Sequence, residues 1–237
     1  LSTPTASLDA QARHAMCELY LSCYEATSPQ IFESDLLGKD EALLLYFGPR
    51  LVGFTTLRLF DTRWRGDDIR VVFSGDTVVD PKHWGQQALS VNWVRRMGQI
   101  KRMQPDKRLV WFLLVKGHRT YRYLHVFAKV FHPKEGAHDA DLSELADYLA
   151  QQQYGPDYNR ESGLVEFSPS RGQLKPAVSE PREDEQSRTG VTYFLKRNPA
   201  FRIGHELVCV CDIEEANMKP MTLRLFRQGF NALAPGL

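Results

Sequence analysis

Cysteine is scarce. The 237 residues hold four, Cys17, Cys23, Cys209 and Cys211. They show neither a paired C-x-x-C spacing nor the density of a disulfide scaffold, so ordinary buried thiols in a reduced, cytoplasmic setting are expected and zinc through these residues is not. Net charge is nearly absent as well, since 30 Lys and Arg against 29 Asp and Glu leave +1. No global field recommends nucleic acid or an anionic membrane as partner, and any electrostatic recognition has to be local. Long apolar runs are missing: the stretch 109–115 falls far short of the roughly 20 residues that a membrane helix needs. No basic region followed by an apolar core is visible at the N-terminus, so no signal peptide is read there. An internal repeat, a G-x-S-x-G elbow and an H-E-x-x-H helix are all lacking, which argues against a serine hydrolase and against a metal site of that kind.

What is present reads as a soluble α/β protein, long enough to bury a sizeable core. Ala12, Met16, Leu19 and Cys23 recur at steps of four, three and four and form one stripe of a helix over about 9–24, ending before Ser28 and Pro29. The β-rich runs 42–47 and 51–60 flank Gly-Pro-Arg as a hairpin, and the charged DTRWRGDD closes the second strand. Residues 69–79 form a third strand, in which Gly75 marks a bulge or a close backbone approach. A helix follows, with Leu89, Trp93, Met97 and Ile100 on one face and Arg95, Arg96, Lys101 and Arg102 near its C-terminal half, where cations suit the dipole. RLVWFLLV, residues 108–115, is apolar on both faces and reads as a central strand. A right-handed crossover sets it parallel to 69–79. RTYRYLHVFAKVF continues as a helix with Leu124, Phe127, Ala128 and Phe131 inward, and Asp141 with Glu144 reads as the capping box of a helix that Gly155 and Pro156 stop. Residues 169–190, rich in Pro, Ser and charge, read as a mobile loop inside an elaboration over 134–205 of a single domain spanning 1–237. TYFLKRNP is a short helix or strand, and ELVCVCDI a late strand.

The texture changes within FSGDTVVDPKHWGQQALSVNWVRRMG, residues 73–98, where a strand meets a helix through Asp80, Pro81, Lys82, His83, Trp84 and Gly85. Free N–H groups and the positive end of a helix dipole stabilise a diphosphate at such a join. This segment and the element order resemble the GNAT superfamily of N-acyltransferases, over roughly residues 8–133 in layout and again near the strand at 206–213. The resemblance implies a GNAT-like mixed central sheet with flanking helices and splayed parallel strands, plus a C-terminal elaboration. It also implies a coenzyme A site formed by Val78, Val79, Lys82, His83, Trp84, Gly85, Gln86, Gln87 and Ala88. Where the family has R-G-x-G-x-G/A, this chain has Trp84, Gly85, Gln86, Gln87, Ala88 and Leu89, so Trp replaces Arg, Gln replaces a Gly, and Gln87 and Leu89 narrow the phosphate approach. These departures, the aromatic content around 111–131 and the C-terminal segment look similar to the long-chain N-acyl amino acid and acyl-homoserine lactone synthases, which often use an acyl carrier protein.

The implied activity is direct transfer of a medium or long acyl group from acyl-CoA or an acyl carrier protein to an amine acceptor, small molecule or peptide, with no tightly bound cofactor, metal, nucleic acid or integral membrane segment. Attack by an amine needs a base and the departing thiolate benefits from an acid. Asp76, on the strand beside the cleft, is the candidate base, or else it stabilises a bulge. Tyr121 and Tyr123, just past the fourth strand, are candidate acids, or else packing residues. His83, His118, His125 and His132 match no metal motif and read as surface or core histidines. Arg95, Arg96, Lys101, Arg102, Lys107 and Arg108 are either a solvated helix end or a basic patch for the coenzyme A 3'-phosphate or a carrier protein. The competing reading is a non-catalytic binding or regulatory protein with a degenerate phosphate cradle.

Overall fold

The computed structural model describes residues 2–232. In chain order its elements are β1 (Ser2–Pro4), α1 (Ala10–Cys23), β2 (Tyr24–Glu25), α2 (Pro29–Leu37), β3 (Glu41–Phe47), β4 (Arg50–Trp64), β5 (Asp67–Val79), α3 (Ala88–Met103), β6 (Arg108–Val115), α4 (His118–Phe127), α5 (Ala140–Tyr154), β7 (Tyr158–Asn159), β8 (Leu164–Val165), β9 (Gln173–Leu174), α6 (Pro176–Ser179), α7 (Glu183–Gln186), α8 (Thr189–Arg197), β10 (Glu206–Asp212) and α9 (Pro220–Asn231). Eight strands form one mixed sheet in the order β1-β3-β4-β5-β6-β10-β8-β7. Its neighbours are antiparallel except β5 and β6, which are parallel as the crossover through α3 requires.

The period of two along the central strands decides the layers. Val72, Leu109, Trp111, Leu113 and Cys209 face α3, α4, α8 and α9, while Val71, Val110, Phe112, Val208 and Val210 face α5. A third apolar cluster joins α1 and α2 to Ala42, Leu44, Phe54 and Val78 on the other half of the sheet. The fold is thus α/β, with helices covering a mixed sheet on both faces.

Two helices go beyond the sequence reading. α2 begins at Ser28, whose hydroxyl accepts the Ile31 N–H, with Pro29 at the first helical position. α9 lies across α3 with backbones in contact: a Cβ at Gly98 would strike the Phe226 carbonyl, and one at Gly229 the Arg95 carbonyl. Other expectations shift. β4 runs through DTRW to a turn at Arg65 and Gly66, and α4 ends at Phe127 although Ala128 and Phe131 stay buried. The N-cap of α5 is Asp139, which accepts the Leu142 N–H at 3.0 Å, because Asp141 is engaged by Trp64, Arg65 and Arg108. Residues 169–190 hold β9, α6, α7 and the start of α8, tied to the body by the β2–β9 pairing and by Arg119.

Candidate active site

The parallel pairing of β5 with β6 runs from Ile69↔Arg108 to Ser74↔Leu113 and stops, while β5 continues to Val79 and β6 to Val115. The strands therefore part. On the other edge of β5 a bulge sets Gly75 and Asp76 against Thr56 alone, and the missing Cβ of Gly75 makes room for the Thr56 hydroxyl and the Lys39 side chain. At the fork, the Ser74 hydroxyl accepts the Trp111 and Trp93 indole N–H groups at 2.9 and 3.3 Å, and the two indoles pack 4.4 Å apart. Beyond the bulge the Asp80 N–H is given to the Val52 carbonyl at 2.8 Å. Strand alternation then turns the Thr77 and Val79 backbone groups toward the gap and those of Val78 toward β4. The Val79 carbonyl receives the Trp84 indole N–H at 3.0 Å.

The turn after β5 is built by Asp80, whose carboxylate accepts the Lys82 N–H at 3.0 Å and the Arg50 guanidinium at 2.9 Å. Gln87 precedes α3 and makes no side-chain capping bond. The N–H groups of the first turn are left to face the cleft without intrahelical partners, at the positive end of the helix. Trp84 stands where the resemblance places an arginine, and the Arg119 guanidinium lies over its ring at 4.1 Å. A cation thus reaches the turn from α4. Leu89 is buried in the core beside Trp93 and does not narrow the approach as the sequence implied.

A cavity of about 1190 Å³ fills the gap. Val78, Val79, His83, Trp84, Gly85, Gln86 and Gln87 line it, whereas Lys82 and Ala88 are exposed and outside its lining. Asp76 and Tyr123 line it too. Tyr121 does not: it is fully buried and its hydroxyl donates to the Pro133 carbonyl at 2.8 Å, which removes it as a cleft acid. Tyr123 stacks on Phe127 at 5.6 Å, and burial raises its phenol.

The deep part of the cavity collects charge that the sequence reading missed. Lys39 is 7% exposed and donates to the Asp35 carboxylate at 2.6 Å. Lys116 stands 3.4 Å from Glu206 and over the Tyr24 ring at 5.4 Å. Asp76 has no hydrogen bond or ion pair among the described residues. Desolvation, then Asp35 and Glu206, push its carboxyl up to about 7 against the opposing pull of Lys116 and Lys39. Burial likewise raises Glu206 and the phenols of Tyr20 and Tyr24. The start signal Ser28-Pro29 was the clue to α2, and hence to Asp35 and Lys39.

The histidines divide. His83 lines the cavity and its ring meets the Gln86 amide, His118 is buried 3.6 Å from Glu185, and burial lowers His118, His125 and His132. No group of three metal-binding side chains is found among the described residues. Most of the basic cluster is spent inside the fold: Arg96 on Glu41, Lys101 on Glu214, Lys107 on Asp61, and Arg108 on Asp212 and Asp141. Arg95 is held by Gln228.

No family model matches the chain, and no curated protein matches it. Solved structures do. A GNAT family N-acetyltransferase from Escherichia coli in complex with CoA is 13% identical over 54% of this chain and 67% of its own, with a TM-score of 0.39. A ribosomal-protein-alanine N-acetyltransferase from Brucella melitensis is 15% identical over 59% of this chain and 96% of its own, with a TM-score of 0.42. A conserved protein from Enterococcus faecalis V583, described as "Probable N-Acyltransferase", is 14% identical with a TM-score of 0.42, and the match covers 55% of this chain but 32% of that protein.

Proposed function

We propose that this protein transfers an acyl group from acyl-CoA to an amine, by direct attack within the gap between β5 and β6. The observation that carries the reading is one juxtaposition: strands that part beneath an uncapped helix start, with an unpaired, proton-binding Asp76 on the wall of the opening. Ionised Asp76 takes a proton from the neutral amine as the nitrogen bonds to the thioester carbon, the carbon–sulfur bond breaks as Tyr123 gives its proton to the sulfur, and the proton on Asp76 returns through solvent to the Tyr123 phenolate. The Thr77 and Val79 N–H groups face the position where an oxyanion would form.

The turn suits a diphosphate through the free N–H groups of α3, while the Arg119 guanidinium over Trp84 is already paired with Glu185 at 2.9 Å. Coenzyme A is favoured over a carrier protein because the cations that would meet an acidic protein surface are mostly paired internally. The 1190 Å³ of space supports an acyl chain of medium or long length alongside the pantetheine arm and the acceptor. Cys23 lines the cavity, but burial raises its thiol, which disfavours an acyl-cysteine intermediate.

One observation favours a binding protein instead: the Val79 carbonyl, a natural partner for a pantetheine amide, is occupied by the Trp84 indole. Native mass spectrometry with acetyl-, octanoyl- and palmitoyl-CoA, each with and without a primary amine, separates the readings. Selective retention of a longer acyl-CoA, with conversion to free coenzyme A once amine is added, is the expected result. Retention without amine-dependent conversion would replace it by the binding-protein reading, and no retention of any donor would remove the coenzyme A site.

A further inference from the structure

The charges that line the cavity do not cancel in place. Lys39 is matched to Asp35 and Lys116 to Glu206, which leaves Asp76 as the carboxylate without a partner. Three guanidiniums that also line the cavity, Arg58, Arg122 and Arg171, have no carboxylate partner among the described residues, and Arg58 and Arg171 are the two held against aromatic rings. Arg58 lies over the Phe60 ring at 5.3 Å and donates to the Gln153 side-chain oxygen at 3.1 Å. Arg171 lies over the Phe167 ring at 4.1 Å, and its charge is felt by Glu206 and Tyr154. Both are therefore held against aromatic faces at the end of the cavity away from the α3 turn, with their hydrogen-bonding edges unclaimed by an anion.

We infer that the acceptor is an amine that also carries an anionic group, with the nitrogen at Asp76 and the anion at Arg58 and Arg171. The inference rests on the acyl-transfer reading of the cavity and extends it to the class of acceptor. Spacing is compatible with this. The bulge sets Asp76 against Thr56, two residues from Arg58 on β4. At about 3.3 Å per residue the two positions stand about 7 Å apart along the sheet, so one small acceptor can meet both. A carboxylate and a phosphate satisfy the same pair of guanidiniums, and the chemistry they share is a planar or tetrahedral oxyanion on a flexible spacer.

Calorimetric titration of the intact protein tests this without requiring turnover. The probes are 5-aminopentanoate, 4-aminobutyl phosphate and pentylamine, against wild type and the Arg58→Met/Arg171→Met double variant. The expected result is that 5-aminopentanoate or the phosphate binds at least tenfold tighter than pentylamine. That advantage should vanish in the double variant while pentylamine affinity is unchanged. Which of the two anionic probes binds tighter separates a carboxylate acceptor from a phosphate one. Equal affinity for pentylamine and 5-aminopentanoate would overturn the inference. Amine-dependent release of coenzyme A with pentylamine as acceptor would at the same time leave the acyl-transfer reading standing, so the two failures are distinguishable.

Discussion

At the scale of single residues, two tyrosines two positions apart divide between the cavity wall and the packed core. Tyr123 lines the cavity, so Tyr123→Phe is expected to lower kcat by about a hundredfold, the low end of what acid catalysis contributes, with little change in melting temperature. Tyr121→Phe should do the reverse. It deletes a buried hydrogen bond to the Pro133 carbonyl and is expected to cost about 1–2 kcal/mol of stability with kcat unchanged. Steady-state kinetics and thermal melts on both variants check the contrast. From the sequence the two were indistinguishable, because adjacency on a helix does not say which side faces a gap between strands that has not yet been seen to open. Asp76 offers a second test. Its folded pKa is raised to about 7 from 3.8, so the stability it contributes is present at low pH and is lost as pH rises through 7. Asp76→Asn should therefore melt higher than wild type by a few degrees at pH 8.5, with the difference shrinking toward pH 4.

At the scale of elements, α3 is the part whose position matters most, since its first turn forms the proposed anion site. α9 fixes it from behind through the Gly98 and Gly229 contacts. Gly229→Ala would push the Arg95 carbonyl and separate the two helices. A loss of about 2–4 kcal/mol in stability is expected, together with weakened acyl-CoA binding, read by denaturant titration and by calorimetry. The five long strands of the sheet, β3 to β6 and β10, their parallel pair and α3 itself were legible in the sequence because their apolar runs are clean, while the two- and three-residue strands β1, β7 and β8 were not. α9 was not singled out, although Pro220 at its first position, with Leu225, Phe226 and Gly229 on its buried side, was a start signal of the same kind as Ser28-Pro29 for α2. The capping box at Asp141 misled for a different reason: long-range pairing with Arg108 outcompeted the local bond, and Asp139 two residues earlier took over the cap.

At the scale of the whole molecule, the cavity is lined by residues from α1 to α9, and the pair of Lys116 with Glu206 joins chain segments far apart, whereas Asp35 and Lys39 are neighbours at the end of α2. A long-range pair has no local sequence signature, which is why Asp76 could be named as a candidate from its strand whereas Lys116 and Glu206 could not. The basic cluster taught the opposite lesson, a conspicuous run in the sequence that the tertiary fold turns mostly into internal ion pairs. Direct attack in a ternary complex carries its own expectation: incubation with octanoyl-CoA alone leaves the intact mass of the protein unchanged, and a covalent adduct of one acyl group would contradict it. The most direct measurement of all is amine-dependent thiol release from octanoyl-CoA across pH 5.5–9 by wild type and Asp76→Asn. Wild-type rates should rise with pH through about 7, where Asp76 loses its proton, and the variant should fall by about 10²–10⁴-fold and lose that rise. Undiminished release by Asp76→Asn with the same pH profile would contradict the role of Asp76, and no amine-dependent release by wild type would contradict acyl transfer itself.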